Sequence, residues 1–441
     1  MNPRKPCMTA PKTELNLGRI RAEFPALAGD TVFLDNAGGS QVLRRVADRV
    51  SDYLLTSSVQ LGASYAASAA AGEKVLAARR AVAELINAPC DDEVVMGAAT
   101  TALMFVLTQA VRYGLQPGDE IIVTDTDHEA NIGGWMRLRE AGAVVKVWGV
   151  NRETLALDLS DLDALLGPRT KWLAMTWASN VLGTVNPVAD VAQRVHAAGA
   201  RLCVDAVAYA PHRLVDVQAS GADVVVFSFY KVFGPHYAVM WVQRELLLQL
   251  PSLNHYFIGP DVVPYKLQPG NVNYELSYGC IGIRDYLVDT GTALGGAGSC
   301  GTPRQRMQAA FDAFEAHENT LAEKLLAYLR SKPGVRVIGR PHLKDVLDVK
   351  DVLDVKDVKD ADEAQRVPTI SFVPNGITPE AVVLHTDRHG IGIRWGDFYA
   401  KRLIEKQGLA NGGGVVRVSM AHYNTAAEID RLIGHLDEVL P

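Results

Sequence analysis

Asp205 and Lys231 have the residue types and spacing best suited to chemistry. Asp205 ends the strand-like run Arg201-Leu-Cys-Val-Asp, and Lys231, 26 residues on, follows the next run, which starts at Asp223. Open α/β sheets bind ligands at the carboxyl ends of their strands. A lysine there, between Ser228 and the turn-like Phe233-Gly-Pro-His236, can form a Schiff base. An acid one strand away can hold a protonated pyridine nitrogen. Pyridoxal phosphate requires these two groups, a covalent tether and a carboxylate that keeps its ring electron-poor. Taken alone, the pair also reads as two solvated strand ends.

Other segments reach the same edge. Gly97-Ala-Ala-Thr100-Thr101 joins a strand to a helix-like stretch and offers backbone N–H groups and hydroxyls to a phosphate, although Thr100 also reads as a plain N-cap. His128, in Asp127-His-Glu-Ala-Asn131, follows the run Ile121 to Thr124 and can stack on a cofactor ring. It lacks an HExxH pattern or clustered Cys/His partners, so no metal is expected. Ser179-Asn180-Val-Leu-Gly183 adds a polar loop after Trp172 to Trp177.

The elements that must position these residues are legible as alternation. Runs at 94–96, 121–123, 144–147, 172–177, 201–205 and 224–229 are separated by amphipathic stretches such as Asn131 to Ala141 and Val188 to Ala198, each closed by a glycine. This pattern predicts an α/β fold with a mostly parallel central sheet. After about residue 290 a long helix, Arg304 to Arg330, leads into strands near 335–338, 367–373, 391–394 and 415–419, with helices over 379–389 and 426–439, which is a smaller α+β domain. The expected division is a segment 1–30 packed on the small domain, a large domain 31–290 and a small domain 291–441. A low-complexity insert occupies 343–363, where Lys344-Asp-Val-Leu-Asp-Val repeats from Lys350; its eight acids and four lysines read as a solvated surface tongue.

Composition narrows the function. The 441 residues are 48% hydrophobic, and 44 Lys+Arg against 50 Asp+Glu give a net charge of -6, which argues against a nucleic-acid surface. Five scattered cysteines form no disulfide framework, and no apolar run reaches the roughly 18 residues of a spanning helix, so a cytoplasmic protein without membrane contact is expected.

Taken together, Leu34-Asp-Asn-Ala-Gly-Gly, Ala99-Thr-Thr, Asp127-His-Glu-Ala-Asn, Ser179-Asn-Val-Leu-Gly-Thr, Val204-Asp, Ser228-Phe-Tyr-Lys and Arg417-Val-Ser-Met-Ala-His-Tyr-Asn-Thr resemble the class V aminotransferase group, and within it the cysteine-desulfurase-like branch. The match runs in order over nearly the whole chain, apart from the N-terminal tail and the insert. The resemblance implies a fold-type-I transferase dependent on pyridoxal 5'-phosphate. Lys231 would form the internal aldimine and move the Cα proton, Asp205 would pair with the pyridine nitrogen, His128 would stack on the ring and Asn180 would reach its phenolic oxygen. Thr100, Thr101 and Ser228 would hold the phosphate, and Arg417 the substrate carboxylate. Gly270-Asn271 resembles a loop that reaches the neighbouring subunit's phosphate, which implies a homodimer.

The departures are as informative. The small-domain loop that carries the desulfurase cysteine reads Arg394-Trp-Gly-Asp-Phe-Tyr399-Ala, with Tyr399 at the cysteine's place. The family's His before the lysine is Tyr230, a relay acid or a structural aromatic, and its Gln after the Asp is Ala208. Cys300, in the glycine-rich stretch 295–301, is an alternative thiol, with only Arg304 and Arg306 near it in sequence. The G-x-G-x-x-G match there follows a helix instead of a strand, so it reads as chance. The expected reaction acts on an amino acid through an external aldimine and a Cα carbanion, and ends in elimination, substitution or a bond-forming cyclisation. Cysteine-lacking relatives include an enzyme of loline-alkaloid biosynthesis. A desulfurase or aminotransferase is the rival enzyme, and a non-catalytic scaffold the rival from another class.

Overall fold

The computed structural model describes residues 15–295, 301–343 and 365–441. Its central sheet has seven strands: β2 (Val94–Gly97), β3 (Glu120–Thr124), β4 (Val144–Trp148), β5 (Thr170–Thr176), β6 (Arg201–Asp205), β7 (Val224–Ser228) and β8 (Ala238–Val242), in the order β2-β8-β7-β6-β5-β3-β4. The expected mostly parallel α/β sheet is present: β7, β6, β5, β3 and β4 run parallel, and only β8 opposes its neighbours. Strands β3, β6 and β7 are almost wholly buried because helices cover both faces, while β4, at the edge, leaves Val144 and Val147 exposed. The helix Val188–Ala197 ends at Gly199 (φ 76°), and the turn Leu138–Ala141 ends at Gly142 (φ 88°). Both glycines adopt the left-handed conformation that releases the chain into the next strand.

The structure adds elements that the alternation does not display. The apolar run Ala238–Val242 is β8, which inserts antiparallel between β2 and β7. Helices Arg44–Thr56 and Ala66–Ile86 precede the alternating region and pack on the helix Tyr274–Ala293.

Beyond the helix Pro303–Arg330, strands β9 (Val335–Ile338), β10 (Thr369–Pro374), β12 (Arg394–Gly396) and β13 (Val415–Ser419) form an antiparallel sheet in the order β12-β13-β10-β9. Here one expectation needs correction, since 391–394 is not one strand. Ile391–Gly392 (β11) pairs in parallel with β1 (Val32–Phe33), and the chain then turns so that β12 pairs with β13. The described residues just before β1 contact both regions, with Arg21 ion-paired to Glu428 at 2.9 Å and Glu23 to Arg45 at 2.7 Å. Leu34, Leu325, Phe372, Val418 and Leu432 form the core of the second sheet region. Nearly all of the low-complexity insert lies outside the described residues, between the paired strands β9 and β10. Among the described residues, no helix is long and apolar enough to cross a membrane.

Candidate active site

The carboxyl ends of the parallel strands converge on one cavity. Asp205 is the last residue of β6, and Lys231 closes the 3-10 turn Phe229–Lys231 that follows β7. Thr100 opens the helix Thr100–Arg112 after β2, His128 caps the helix Glu129–Arg137 after β3, and Asn180 lies in the loop after β5. These five line the cavity with Thr101, Ser228 and Tyr230. Thr100 is not an N-cap: Ala99 occupies that position without a side-chain bond, and the Thr100 hydroxyl meets Ser228 Oγ at 2.7 Å instead. Asn271 lies elsewhere on the subunit, in an exposed hollow shared with Gln60, His255 and Tyr274. Cys300 lies outside the described residues.

Burial sets the electrostatics. Lys231 is only 6% exposed, and burial, followed by the nearby Arg417, lowers its pKa to about 8. Roughly a tenth of the amine is therefore unprotonated and nucleophilic at pH 7, far more than for an ordinary lysine. Burial likewise raises Asp205 to about 6, opposed by a 2.8 Å hydrogen bond from Val207 N–H to Oδ1 and by Lys231. The His128 imidazole is lowered to about 4 by burial, then by Lys231 and Arg417. Its Nδ1 accepts from Ala130 N–H at 3.0 Å, so the ring stays neutral and presents a flat face.

The second sheet supplies the opposite wall. Arg394 on β12 and Arg417 on β13 are directly paired, so the two guanidinium-bearing residues share one face. Asp35 lies between them, 2.8 Å from Arg417 and 3.7 Å from Arg394. Two cations against one anion leave one positive charge uncompensated. Arg417, 2% exposed, also donates to the Asn180 carbonyl at 3.2 Å and lies 3.8 Å over the Phe398 ring, while its Nε has no partner. Tyr399 is 68% exposed, and its ring centroid is 5.2 Å from that of His128.

The loop that presents Tyr399 is strained. Phe398 and Tyr399 are consecutive left-handed residues (φ 53° and 59°), a conformation that costs about 1–2 kcal/mol each for a side chain with a Cβ. Three hydrogen bonds hold it: Tyr399 N–H to Asp397 Oδ1 at 2.9 Å, Asn180 Nδ2 to the Phe398 carbonyl at 2.9 Å, and Glu129 N–H to the Tyr399 carbonyl at 2.8 Å. The last two link the loop to the first sheet.

Comparison with known proteins assigns the family. The family model described as aminotransferase class-V matches residues 32–261 and 305–432. The chain belongs to this family. It is 38% identical over 437 residues, 97% of this chain and 99% of the other, to the aminotransferase-like protein FGM3 of Gibberella zeae. It is 31% identical to the cysteine desulfurase-like protein ustD of Aspergillus flavus, covering 97% of this chain and 91% of that one. Among solved structures, the cysteine desulfurase CsdA of Escherichia coli, as its S-sulfonic acid, superposes with a TM-score of 0.78 at 28% identity, covering 97% and 99% of the two chains. Like the family, this member is a pyridoxal-phosphate-dependent enzyme.

The donor set suits that cofactor. The buried Lys231 amine has no hydrogen-bond or ion-pair partner among the described residues, its nearest ring being Tyr230 at 5.8 Å. The Asp205 side chain is held by a single backbone N–H, and the paired Thr100 and Ser228 hydroxyls stand at a helix N-terminus, where a phosphate is favoured.

Several supporting residues receive no role from sequence alone. Asp35 stands 382 residues from Arg417, so no local signal links them, although the Leu34-Asp-Asn motif contains it. Phe398 looks like an ordinary apolar residue until the fold puts it under a guanidinium. Asp127 is fully buried, with a pKa raised to about 7 by burial and by Asp205. It accepts from Asn131 Nδ2 at 2.8 Å and from the Thr124 hydroxyl, and so anchors the turn that carries His128. Ser40 Oγ donates to the Tyr230 carbonyl at 3.1 Å and accepts from Phe233 N–H at 2.9 Å, bracing both sides of Lys231.

Proposed function

We propose that the enzyme acts on a small amino acid, takes the Cα proton, and completes an elimination, a substitution or a bond-forming cyclisation without a persulfide. The observation that carries this reading is Tyr399: a phenol stands beside His128 in the loop that, on the family resemblance, would carry the cysteine of a true desulfurase, while Lys231, Asp205 and the arginine pair are all in place. A phenol is a poor substitute for a thiolate as a nucleophile towards sulfur. The fungal relatives at 38% and 31% identity are themselves named aminotransferase-like and desulfurase-like, which supports chemistry diverged from desulfuration. Amino-acid-derived secondary metabolism, alkaloid formation included, is the setting we infer.

Pyridoxal phosphate, when bound, supplies an electron sink that makes a Cα–H bond acidic. Lys231 would tether it and, once released, take and return the proton at Cα. Asp205 would hold the proton on the ring nitrogen, and its buried position keeps water from competing for it. His128 would cover the ring, Asn180 would approach its phenolic oxygen, and Thr100, Thr101 and Ser228 would receive the phosphate. Arg417, with Arg394 beside it, would bind the substrate carboxylate, which balances the uncompensated charge left by Asp35. Tyr230 would take the place of the family's histidine next to the lysine, and Tyr399 would border the substrate side chain. We infer a homodimer with Asn271 completing the partner's phosphate site, supported by its exposed hollow and by the exposed Tyr256 and Phe257 in the preceding loop.

The test is incubation of the holoenzyme in deuterated water with a panel of amino acids, reading Cα exchange by NMR and products by chromatography. Exchange on one class of amino acid names the substrate. With cysteine, sulfide plus pyruvate, or no product, fits the proposal. Stoichiometric alanine with a thiol-labile sulfur on the enzyme would overturn it in favour of a desulfurase.

A further inference from the structure

In the second sheet region, away from the residues that line the Lys231 cavity, three imidazoles and a carboxylate converge. His385 lies in the helix Pro379–Asp387, His389 just beyond its end, His435 in the helix Ala426–Asp437, and Glu438 at that helix's C-cap. The spacings explain the convergence, since residues four or three apart lie on one side of a helical turn. One potential ligand atom from each of the four lies within 4.8 Å of all the others. His389 and His435 stack with centroids 3.8 Å apart, and the Glu438 carboxylate is 3.0 Å from His385 Nε2 and 3.2 Å from His435 Nδ1.

The cluster satisfies only part of its own hydrogen bonding: His435 Nδ1 is hydrogen-bonded to the Glu438 carboxylate at 3.2 Å, whereas His385 is left over. His385 Nε2 is buried and, despite its closeness to Glu438, is misaligned for a hydrogen bond and has no partner. Arg388 is a like charge for any cation. Arg431 is engaged with the backbone carbonyls of His389 and Asp30.

We propose that His385, His389, His435 and Glu438 bind one divalent transition-metal ion of the zinc class. Three nitrogens and one oxygen match zinc's usual donors, whereas calcium and magnesium require mostly oxygen. With metal–ligand bonds of about 2.0 Å, tetrahedral donors stand roughly 3.3 Å apart. The 4.8 Å spread must therefore close by about 1.5 Å, which requires side-chain rotation that parts the His389–His435 stack. Four protein donors fill the coordination shell, so the ion is structural: it pins the C-terminal helix to the chain that enters β11 and, two residues later, reaches Arg394. No compact ligand motif marks this group in the sequence. These ligands come as two pairs about fifty residues apart, which only packing unites.

The test uses tag-free holoenzyme stripped with EDTA. Zn2+ is titrated against a chromophoric chelator, Co2+ is added to read visible d–d bands, and thermal unfolding is followed with and without Zn2+. One Zn2+ per chain, tetrahedral cobalt bands and a raised unfolding midpoint are expected. Because even outer-shell partners are worth about 10–100-fold in affinity, a His389→Ala/His435→Ala variant should lose at least about 100-fold. If that variant does not fold, as judged by circular dichroism, Glu438→Gln at an exposed position makes the same comparison, with a loss of at least about 10-fold expected. Absence of stoichiometric binding, or affinity unchanged in the folded variant, would overturn the proposal and put any bound metal elsewhere.

Discussion

The two walls of the active site are built differently. On the seven-stranded side, Thr100, His128, Asp205 and Lys231 each stand at or just after a strand end, and a continuous hydrogen-bonded ladder sets their spacing. On the four-stranded side, the contacts of Arg394, Arg417 and Tyr399 depend on a strained loop, on a single shared carboxylate and on pieces of the other region. The first arrangement would position the cofactor from within one hydrogen-bonded sheet. In the second, the wall proposed for the substrate is correct only when the two regions meet. Substitutions on the first wall should therefore act on chemistry, and those on the second on binding and docking.

The largest effect should come from Lys231→Ala. Without the amine, visible absorbance of the tethered cofactor should vanish and Cα exchange should fall at least about 1,000-fold, within the range for a lost acid–base group. Retained absorbance and exchange would break the assignment. The wild-type lysine offers a pH signature as well. Its pKa is lowered from 10.5 to about 8, so the free amine accumulates as pH rises through about 8. Capture of added aldehyde by cofactor-free protein should rise through that range and then level, whereas an ordinary lysine would keep rising towards 10.5.

Asp205→Asn should keep the cofactor but lower turnover at least about 100-fold, because an amide cannot hold the ring nitrogen protonated. Absorbance and rate measured together separate this from simple cofactor loss. A variant within a few-fold of wild type would make Asp205 structural. Across the cavity, Arg417→Lys should raise KM by about 10-fold or more with a smaller change in kcat, since a lysine cannot reach Asp35, Asn180 and a substrate carboxylate together. A kcat effect with KM unchanged would move Arg417 to the chemical wall.

The smallest effect concerns the joint between the walls. Gly183 is left-handed (φ 73°), and a Cβ there would meet the Thr369 carbonyl oxygen at the start of β10. Its own carbonyl accepts from Val367 N–H at 2.8 Å, and nearby Ser371 Oγ donates to the Val181 carbonyl at 2.7 Å, so the loop that carries Asn180 is clamped between the two sheets. Gly183→Ala should cost about 1–2 kcal/mol in denaturant unfolding and raise KM modestly while sparing cofactor absorbance. Unchanged stability would show that the joint is loose.

The parallel sheet and its strand-end residues were legible because they rest on local patterns: fully apolar strands, glycine-closed helices, and an Asp and a Lys at consecutive strand ends. Strand β8 escaped that reading because a five-residue apolar run has no period to declare its direction, and the antiparallel pairing that defines it is not local. By itself the sequence determined which residue types are available, including Tyr399 in the loop after Arg394. Only the tertiary structure decided what they face. It put Asp35 between Arg394 and Arg417, placed the Phe398 ring 3.8 Å from the Arg417 guanidinium, split 391–394 between two sheets and gathered His385, His389, His435 and Glu438. The physical reason is that these contacts join residues tens to hundreds of positions apart, and their energies come from desolvation and charge pairing, which exist only once the chain has packed.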